Sequence, residues 1–177
     1  MASAPSLIAT LGLSPHPEGG WYRETWRAPA EPGTRGAATA ILFLLEAGQS
    51  SYWHRVDAAE IWLWHGGDAL DLRMAADDRA TPETFRLGSD VAAGQSVQAV
   101  VPEQHWQAAS PVPDGPHGYT LVSCVVAPAF EFSGFTLAPP GWEPLLRNFS
   151  ERRIPPEFQE KAGLVIPREK GGGHYDR

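Results

Sequence analysis

Residues 48–67 read GQSSYWHRVDAAEIWLWHGG. An imidazole, His54, and a carboxylate, Glu60, stand six residues apart among aromatic and apolar neighbours, in a segment that also holds Asp57 and His65 and has glycines at both ends. Two short runs, SYWHR and EIWLW, carry the aromatic and β-branched residues that suit a pleated, half-buried surface. Were residues 54–60 one extended strand, His54 and Glu60 would lie roughly 20 Å apart at about 3.3 Å per residue. The polar and small residues VDAA break that extension. A turn at Asp57–Ala59 is expected to make the two runs neighbouring strands, with His54 and Glu60 facing one cavity. The strand period of two places Glu60, Trp62 and Trp64 on one face and Ile61 and Leu63 on the other. An inward Glu60 therefore carries Trp62 and Trp64 inward.

The same rhythm extends in both directions. WYRETWR (21–27), the apolar run ATAILFLLE (38–46), ALDLRM, ETFRLG, SVQAVV, HWQAA, YTLVSCVV and FTLAP read as further short strands. The 18 glycines and 17 prolines punctuate them, at the spacing of a sandwich or barrel and with too few helices for a parallel α/β sheet. Residues 5–12, PSLIATLG, read as a short helix with Leu7, Ile8 and Leu11 on one face and Gly12 at its stop. The expectation is an all-β domain over residues 1–142 and a polar, Pro-rich C-terminal extension over 143–177. In that extension PPEFQEKAG reads as a turn or two of helix and GGGHYDR as disordered.

Composition excludes some functions. A net charge of −7 disfavours a nucleic-acid surface, which needs clustered Lys and Arg. No stretch approaches 18 consecutive apolar residues, so no membrane helix is expected. The N-terminus lacks the basic and apolar regions of a signal peptide. The single cysteine, Cys124, lies in an apolar run and reads as a small buried hydrophobe; without an intramolecular disulfide, a cytoplasmic setting is expected.

The spacing Gly48-x5-His54-x-Val56-x3-Glu60-x6-Gly67 is similar to the first motif of the cupin superfamily, G-x5-H-x-H-x3–4-E-x6-G, with Val56 in place of the second histidine. The second cupin motif is weaker in GQSVQAVVPEQHWQAAS. Gly94 fits with one or two extra residues before Pro102, Gln104 replaces the motif glycine, Gln107 stands where the motif histidine falls, and the asparagine is absent. Together with LGLSPHPEGGWYRETWR, these segments resemble one cupin family of uncharacterised function that is akin to the dTDP-sugar epimerases. The resemblance covers roughly residues 6–138. It implies an antiparallel jelly-roll barrel, commonly dimeric, with a small-molecule site inside the barrel mouth.

The resemblance also implies roles for residues. The metal ligands of other cupins transfer to His54, Glu60 and Gln107, with Val56 lost. One imidazole, one carboxylate and one amide oxygen make a poor zinc set and a thin one for harder ions, so either no metal or a weakly held divalent ion is expected. In the epimerases a histidine inside the barrel removes a proton next to a carbonyl; His54 would do this with Glu60 orienting it. A tyrosine acid is not clearly placed, and Tyr52 and Tyr119 are candidates. Arg23 and Arg27 share one face of WYRETWR and Glu24 takes the other. Arg23 is the candidate anion ligand, Arg27 reads as surface, and Glu18 as a turn former beside Gly19 and Gly20. Trp53, Trp62, Trp64 and Trp106 either line the pocket or pack the core. Glu131 could enter the cavity from the last strands. His16 would cap the mouth and His105 is a fallback ligand; His65, His117 and His174 read as structural or exposed. Three functions compete: a metal-independent isomerase or epimerase on a sugar-nucleotide-like metabolite, a non-catalytic small-molecule-binding cupin, and a metal-dependent enzyme.

Overall fold

A helix opens the chain because its ends are capped on both sides. The structure, a computed structural model, describes residues 3–145. Helix α1 (Ala4–Leu11) starts at Ser3, whose side chain accepts the Ser6 N–H, and has Pro5 in its first turn. It ends at Gly12 in the left-handed region (φ 63°), where the Leu13 N–H closes onto the Ile8 carbonyl at 2.9 Å.

Eleven strands follow: β1 (Ser14–Pro15), β2 (Trp21–Arg27), β3 (Thr39–Glu46), β4 (Ser51–Val56), β5 (Ala59–Gly67), β6 (Leu70–Ala75), β7 (Glu83–Leu87), β8 (Gln98–Val101), β9 (Trp106–Pro111), β10 (Tyr119–Ala127) and β11 (Phe135–Leu137). They form two antiparallel sheets, β1-β2-β3-β10-β5-β8 and β11-β4-β9-β6-β7. Phe43, Leu45, Trp62, Val122 and Cys124 of the first sheet meet Leu70, Leu72, Met74 and Ala109 of the second in one core. This is the jelly roll the strand rhythm predicts. Helix α1 lays Leu7, Ile8 and Leu11 on the outer face of the first sheet, against Trp21, Leu42 and Leu44. Among the described residues, no helix is long and apolar enough to cross a membrane. The helical and disordered readings of the C-terminal extension lie outside the described residues.

Two local features differ from the sequence reading, and both shape the site. The first is at Asp57 and Ala58. β4 belongs to the five-stranded sheet and β5 to the six-stranded one, so this link carries the chain from one sheet to the other and the two strands do not pair. His54 and Glu60 approach the interior from opposite sheets. The crossover is pinned: Arg35 grips Asp57 with both Nη atoms (3.0 and 2.8 Å) and donates from Nε to the Ala129 carbonyl. The Asp57 N–H donates to the Gly134 carbonyl, and a side chain on Gly134 would collide with the Asp57 carboxylate.

The second is a bulge in β2. Glu24 pairs with Ile41 and Trp26 with Ala40, leaving Thr25 as an extra residue. An extra residue resets the alternation. Arg27 therefore joins Glu24 on the inner face, where strict alternation would send it out with Arg23.

The turn before β2 is built on its glycines. His16 and Gly20 exchange a backbone bond at 3.0 Å, with Gly19 at φ 102° and Gly20 at φ 72°. A Cβ on Gly20 would sit 2.8 Å from the Leu44 carbonyl oxygen and press on Leu45 and Phe43. The Tyr52 N–H donates to the Glu18 carbonyl at 2.7 Å, stitching the turn to β4. Gly20→Ala is thus expected to destabilise the fold by more than about 1 kcal/mol. Urea unfolding checks this, and an unchanged midpoint would show that the turn adapts.

Candidate functional site

The inward residues of β4 and the PEGG turn meet in a buried polar network. His54, on β4, is 1% exposed. Its Nδ1–H donates to the Tyr52 carbonyl at 2.8 Å, which fixes the tautomer and leaves the Nε2 lone pair facing Glu18 Oε2 at 3.3 Å. The other Glu18 oxygen accepts the Ser51 hydroxyl at 3.0 Å. A proton held between Glu18 Oε2 and His54 Nε2 completes this arrangement, while Oε1 accepts from Ser51. The electrostatics agree. Burial pushes the Glu18 carboxyl up and the His54 imidazole down, each toward its neutral form.

Glu60, on β5, is likewise 6% exposed. Its Oε2 accepts Gln107 Nε2–H at 2.6 Å, and Gln107 Oε1 in turn accepts Trp62 Nε1–H at 2.9 Å. Burial raises the Glu60 carboxyl above its ordinary range; the His54 charge and the hydrogen bonds from Gln107 and Cys124 oppose that rise, and nearby Glu18 adds to it. Burial, with Glu60 and Glu18 nearby, pushes the Cys124 thiol well up, so it is no nucleophile.

Glu60 opens onto a cavity of about 360 Å³, toward the lower end of the roughly 300–1,000 Å³ that holds small ligands. Ile41, Cys124, Val126 and Phe130 give it apolar walls; His16, Tyr22, Glu24, Arg27 and Glu131 are its polar groups beside Glu60. Arg27 is bound bidentately by Glu24 (3.0 and 2.8 Å) and donates to the Phe130 carbonyl at 3.1 Å.

The profile of one protein family, described as Cupin superfamily (DUF985), matches residues 5–138. The chain belongs to this family. A protein from Shewanella oneidensis of known structure is 36% identical, with a TM-score of 0.72 over 78% of this chain and 86% of that one. A hypothetical protein from Leishmania major is 33% identical, with a TM-score of 0.71 over 80% and 90%. Oxalate decarboxylase from Bacillus subtilis, 13% identical, has a TM-score of 0.52 over 70% of this chain and 29% of its own, a likeness of fold alone. No curated protein matches the chain.

In this cupin the residues singled out from sequence divide into three groups. Glu60, Glu24 and Glu131 line the cavity. His54, Gln107 and Trp62 stand behind it, and Trp64 packs beside the core with its Nε1 on the Asp68 carbonyl. Arg23, Tyr52 and Trp106 lie elsewhere. Arg23 is exposed, on the opposite side of β2 near the end of α1. Tyr52 is 59% exposed, because a register shift between Ser51 and His54 turns it out. Trp106 faces away from Gln107 and packs with Trp53 and Trp142 on the outside of the second sheet, where Arg55 lies over its ring. His105 lies in the turn before β9, outside the cavity, and His65 and His117 bond to Ser123 and Asp68. His174 is outside the described residues.

Two roles change hands. Among the described residues no hydrogen bond joins His54 to Glu60; the carboxyl touching His54 is Glu18, which the sequence reading took for a turn former. Its signal was its place, a carboxylate between His16 and two glycines just ahead of a strand. Arg27, read as surface, is exposed and also lines the cavity, because of the β2 bulge.

The cupin motif implies a divalent metal on His54, Glu60 and Gln107, and these residues do not fit one. The amide oxygen of Gln107 is taken by Trp62 and its N–H₂ faces Glu60. Nδ1 of His54 is taken by Tyr52 and its Nε2 by Glu18. Val56, at the second histidine position, packs with Val126, Phe130 and Phe135. Among the described residues no group of three or more His, Cys, Asp or Glu is arranged to hold a metal.

The raised pKa of Glu18 sets a pH dependence. Its folded pKa lies above the ordinary 4.5, so the folded chain holds a proton that the unfolded chain releases. The stability this gives is full below pH 4.5 and is lost as pH rises toward the folded value, at up to about 1.4 kcal/mol per pH unit. Glu18→Gln keeps both hydrogen bonds without the proton. Its stability relative to wild type is expected to rise with pH above 4.5, read from urea midpoints across pH; a flat difference would mean Glu18 is ionised in the fold. Trp106→Ala is expected to cost about 3–5 kcal/mol in the same assay without altering ligand affinity for the cavity.

Proposed function

We propose that this cupin binds a small polar metabolite in the cavity and moves a proton on it, as an isomerase or epimerase does. The observation that carries this reading is Glu60: a buried carboxyl, its pKa raised by burial, that opens onto a cavity of ligand size with apolar walls. A general acid–base works best with a pKa near the operating pH, and burial is the usual way to bring a carboxyl there. The epimerase resemblance puts the base on His54. Here the imidazole lies behind the cavity, so Glu60 is the group that meets the substrate. The reaction needs no metal step. The same resemblance suggests a sugar-nucleotide-like substrate, whose sugar ring suits the cavity in size.

A non-catalytic binding role rests on the same apolar walls, and Glu60 separates the two readings. Glu60→Gln keeps the shape and the Gln107 contact but removes the titrating group. The expected result is retained ligand binding, with turnover lowered by about 10²–10⁴-fold. Equal turnover in the variant would exclude Glu60 as the proton-transfer group. Homodimerisation belongs to the proposal too, supported by the exposed Val97 and Val100 beside the edge strand β8; sedimentation velocity tests it. A cytoplasmic setting fits the buried free thiol of Cys124.

A further inference from the structure

His16 is the imidazole that shares the cavity with Glu60, and its ring is held in a defined orientation. The N–H of Glu18 donates to His16 Nδ1 at 3.2 Å. An Nδ1 that accepts leaves the proton of the neutral ring on Nε2. Tyr22, Phe43 and Phe135 surround the ring edge-on, with centroids at 4.5, 6.0 and 6.3 Å. Burial lowers the imidazole pKa, as does the His54 charge, against the pull of Glu18. Both oxygens of Glu18, the nearby carboxyl, are already engaged by Ser51 and His54. The ring is a neutral hydrogen-bond donor fixed in a cavity that also holds a carboxyl.

The charge of the cavity narrows what it takes. Its lining offers three carboxyls, Glu24, Glu60 and Glu131, against one guanidinium, Arg27. Arg27 already spends Nε and Nη2 on Glu24 and Nη1 on a carbonyl. Arg23 faces the other way. A phosphate or diphosphate entering this space would lose its hydration and meet no uncommitted cation among the lining residues.

We infer that the substrate is an uncharged hydroxy-aldehyde or hydroxy-ketone, whose carbonyl oxygen is held by Nε2–H of His16 while Glu60 removes the proton from the neighbouring carbon. This rests on the proton-transfer reading above and replaces its sugar-nucleotide substrate with an unphosphorylated one. The step balances within the site. The C–H bond breaks and its proton passes to the ionised Glu60; the electron pair forms the carbon–carbon double bond, and the carbonyl π pair moves to the oxygen that His16 holds. Return of the proton from Glu60 to the former carbonyl carbon, with the neighbouring hydroxyl proton passing to the enolate oxygen, gives the carbonyl isomer. A neutral imidazole suits this task because its weakly acidic N–H matches the developing enolate better than a strongly acidic imidazolium does; the pairing of a carboxylate base with a neutral histidine is known elsewhere.

Two measurements test this on the full chain. Long-range ¹⁵N–¹H NMR, with His16→Gln assigning the signal, reads the tautomer without any ligand. His16 is expected to carry its proton on Nε2 and to gain its second proton only below pH 6.5; an Nδ1–H ring, or ordinary titration, overturns the assignment. Deuterium exchange in D₂O is then followed on two- to six-carbon hydroxy-aldehydes and hydroxy-ketones and their phosphate esters. Exchange of the uncharged compounds is expected, with a loss of about 100-fold or more in His16→Ala, partial recovery in His16→Gln, which restores an N–H donor, and loss in Glu60→Gln. Loss in Glu60→Gln with full activity in His16→Ala would leave proton transfer standing and sink the role of His16. Preference for the phosphate esters would sink the uncharged substrate alone. No exchange across the set would overturn the proton-transfer reading and this inference together.

Discussion

Four titratable side chains, His16, Glu18, His54 and Glu60, share the low-dielectric space between two packed sheets. Charge is costly there, so burial drives each toward neutrality, and a neutral group still needs its hydrogen bonds met. Most of the local architecture answers that requirement. The Tyr52 carbonyl and Glu18 satisfy His54; Ser51 satisfies Glu18; the Gln107–Trp62 pair satisfies one oxygen of Glu60; a backbone N–H satisfies Nδ1 of His16. The groups left with spare capacity toward the cavity are those of Glu60 and His16. The geometry thereby separates residues that meet a ligand from residues that hold them in place.

The fold was legible because its signals are local. Alternating apolar residues, frequent Gly and Pro, and capped ends on α1 each act over a few residues, and most strands they mark appear within a residue or two of their expected bounds, β5 running three residues past Trp64 to Gly67. The inward face of β5, with Glu60, Trp62 and Trp64, followed from the period of two alone. The misreadings came where one extra residue or one long-range choice of partner breaks that period. The unpaired Thr25 turns Arg27 inward, and the register shift after Ser51 turns Tyr52 outward. The link at Asp57 reads as a hairpin turn until the competing partners of β4 and β5, which lie far along the chain, are known. Glu18 was hidden for a similar reason, since nothing in a PEGG turn tells whether its carboxylate points to solvent or between sheets.

The departures from the cupin metal motif are of one kind. Val56 replaces an imidazole with a packed apolar side chain, and Gln107 replaces another with an amide whose two ends are both engaged. The space that ligands to an ion would occupy is filled by a hydrogen-bonded ladder from Trp62 through Gln107 to Glu60. Where a metal would supply a fixed positive charge, this interior offers a carboxyl of raised pKa and a ring donor.

Asp57 has a further consequence. Three separate stretches of chain converge on this one carboxylate or its N–H: the loop carrying Arg35, the crossover itself, and the segment around Gly134. Phe130, Glu131 and Phe132, which wall the cavity on that side, lie between Ala129, held by Arg35, and Gly134. The rim therefore behaves as one mechanical unit rather than as independent loops. Insertions that most jelly rolls absorb in their connections are poorly tolerated at this end. Descendants of this sequence would change ligand preference by exchanging side chains on a fixed frame, not by growing new loops over the mouth.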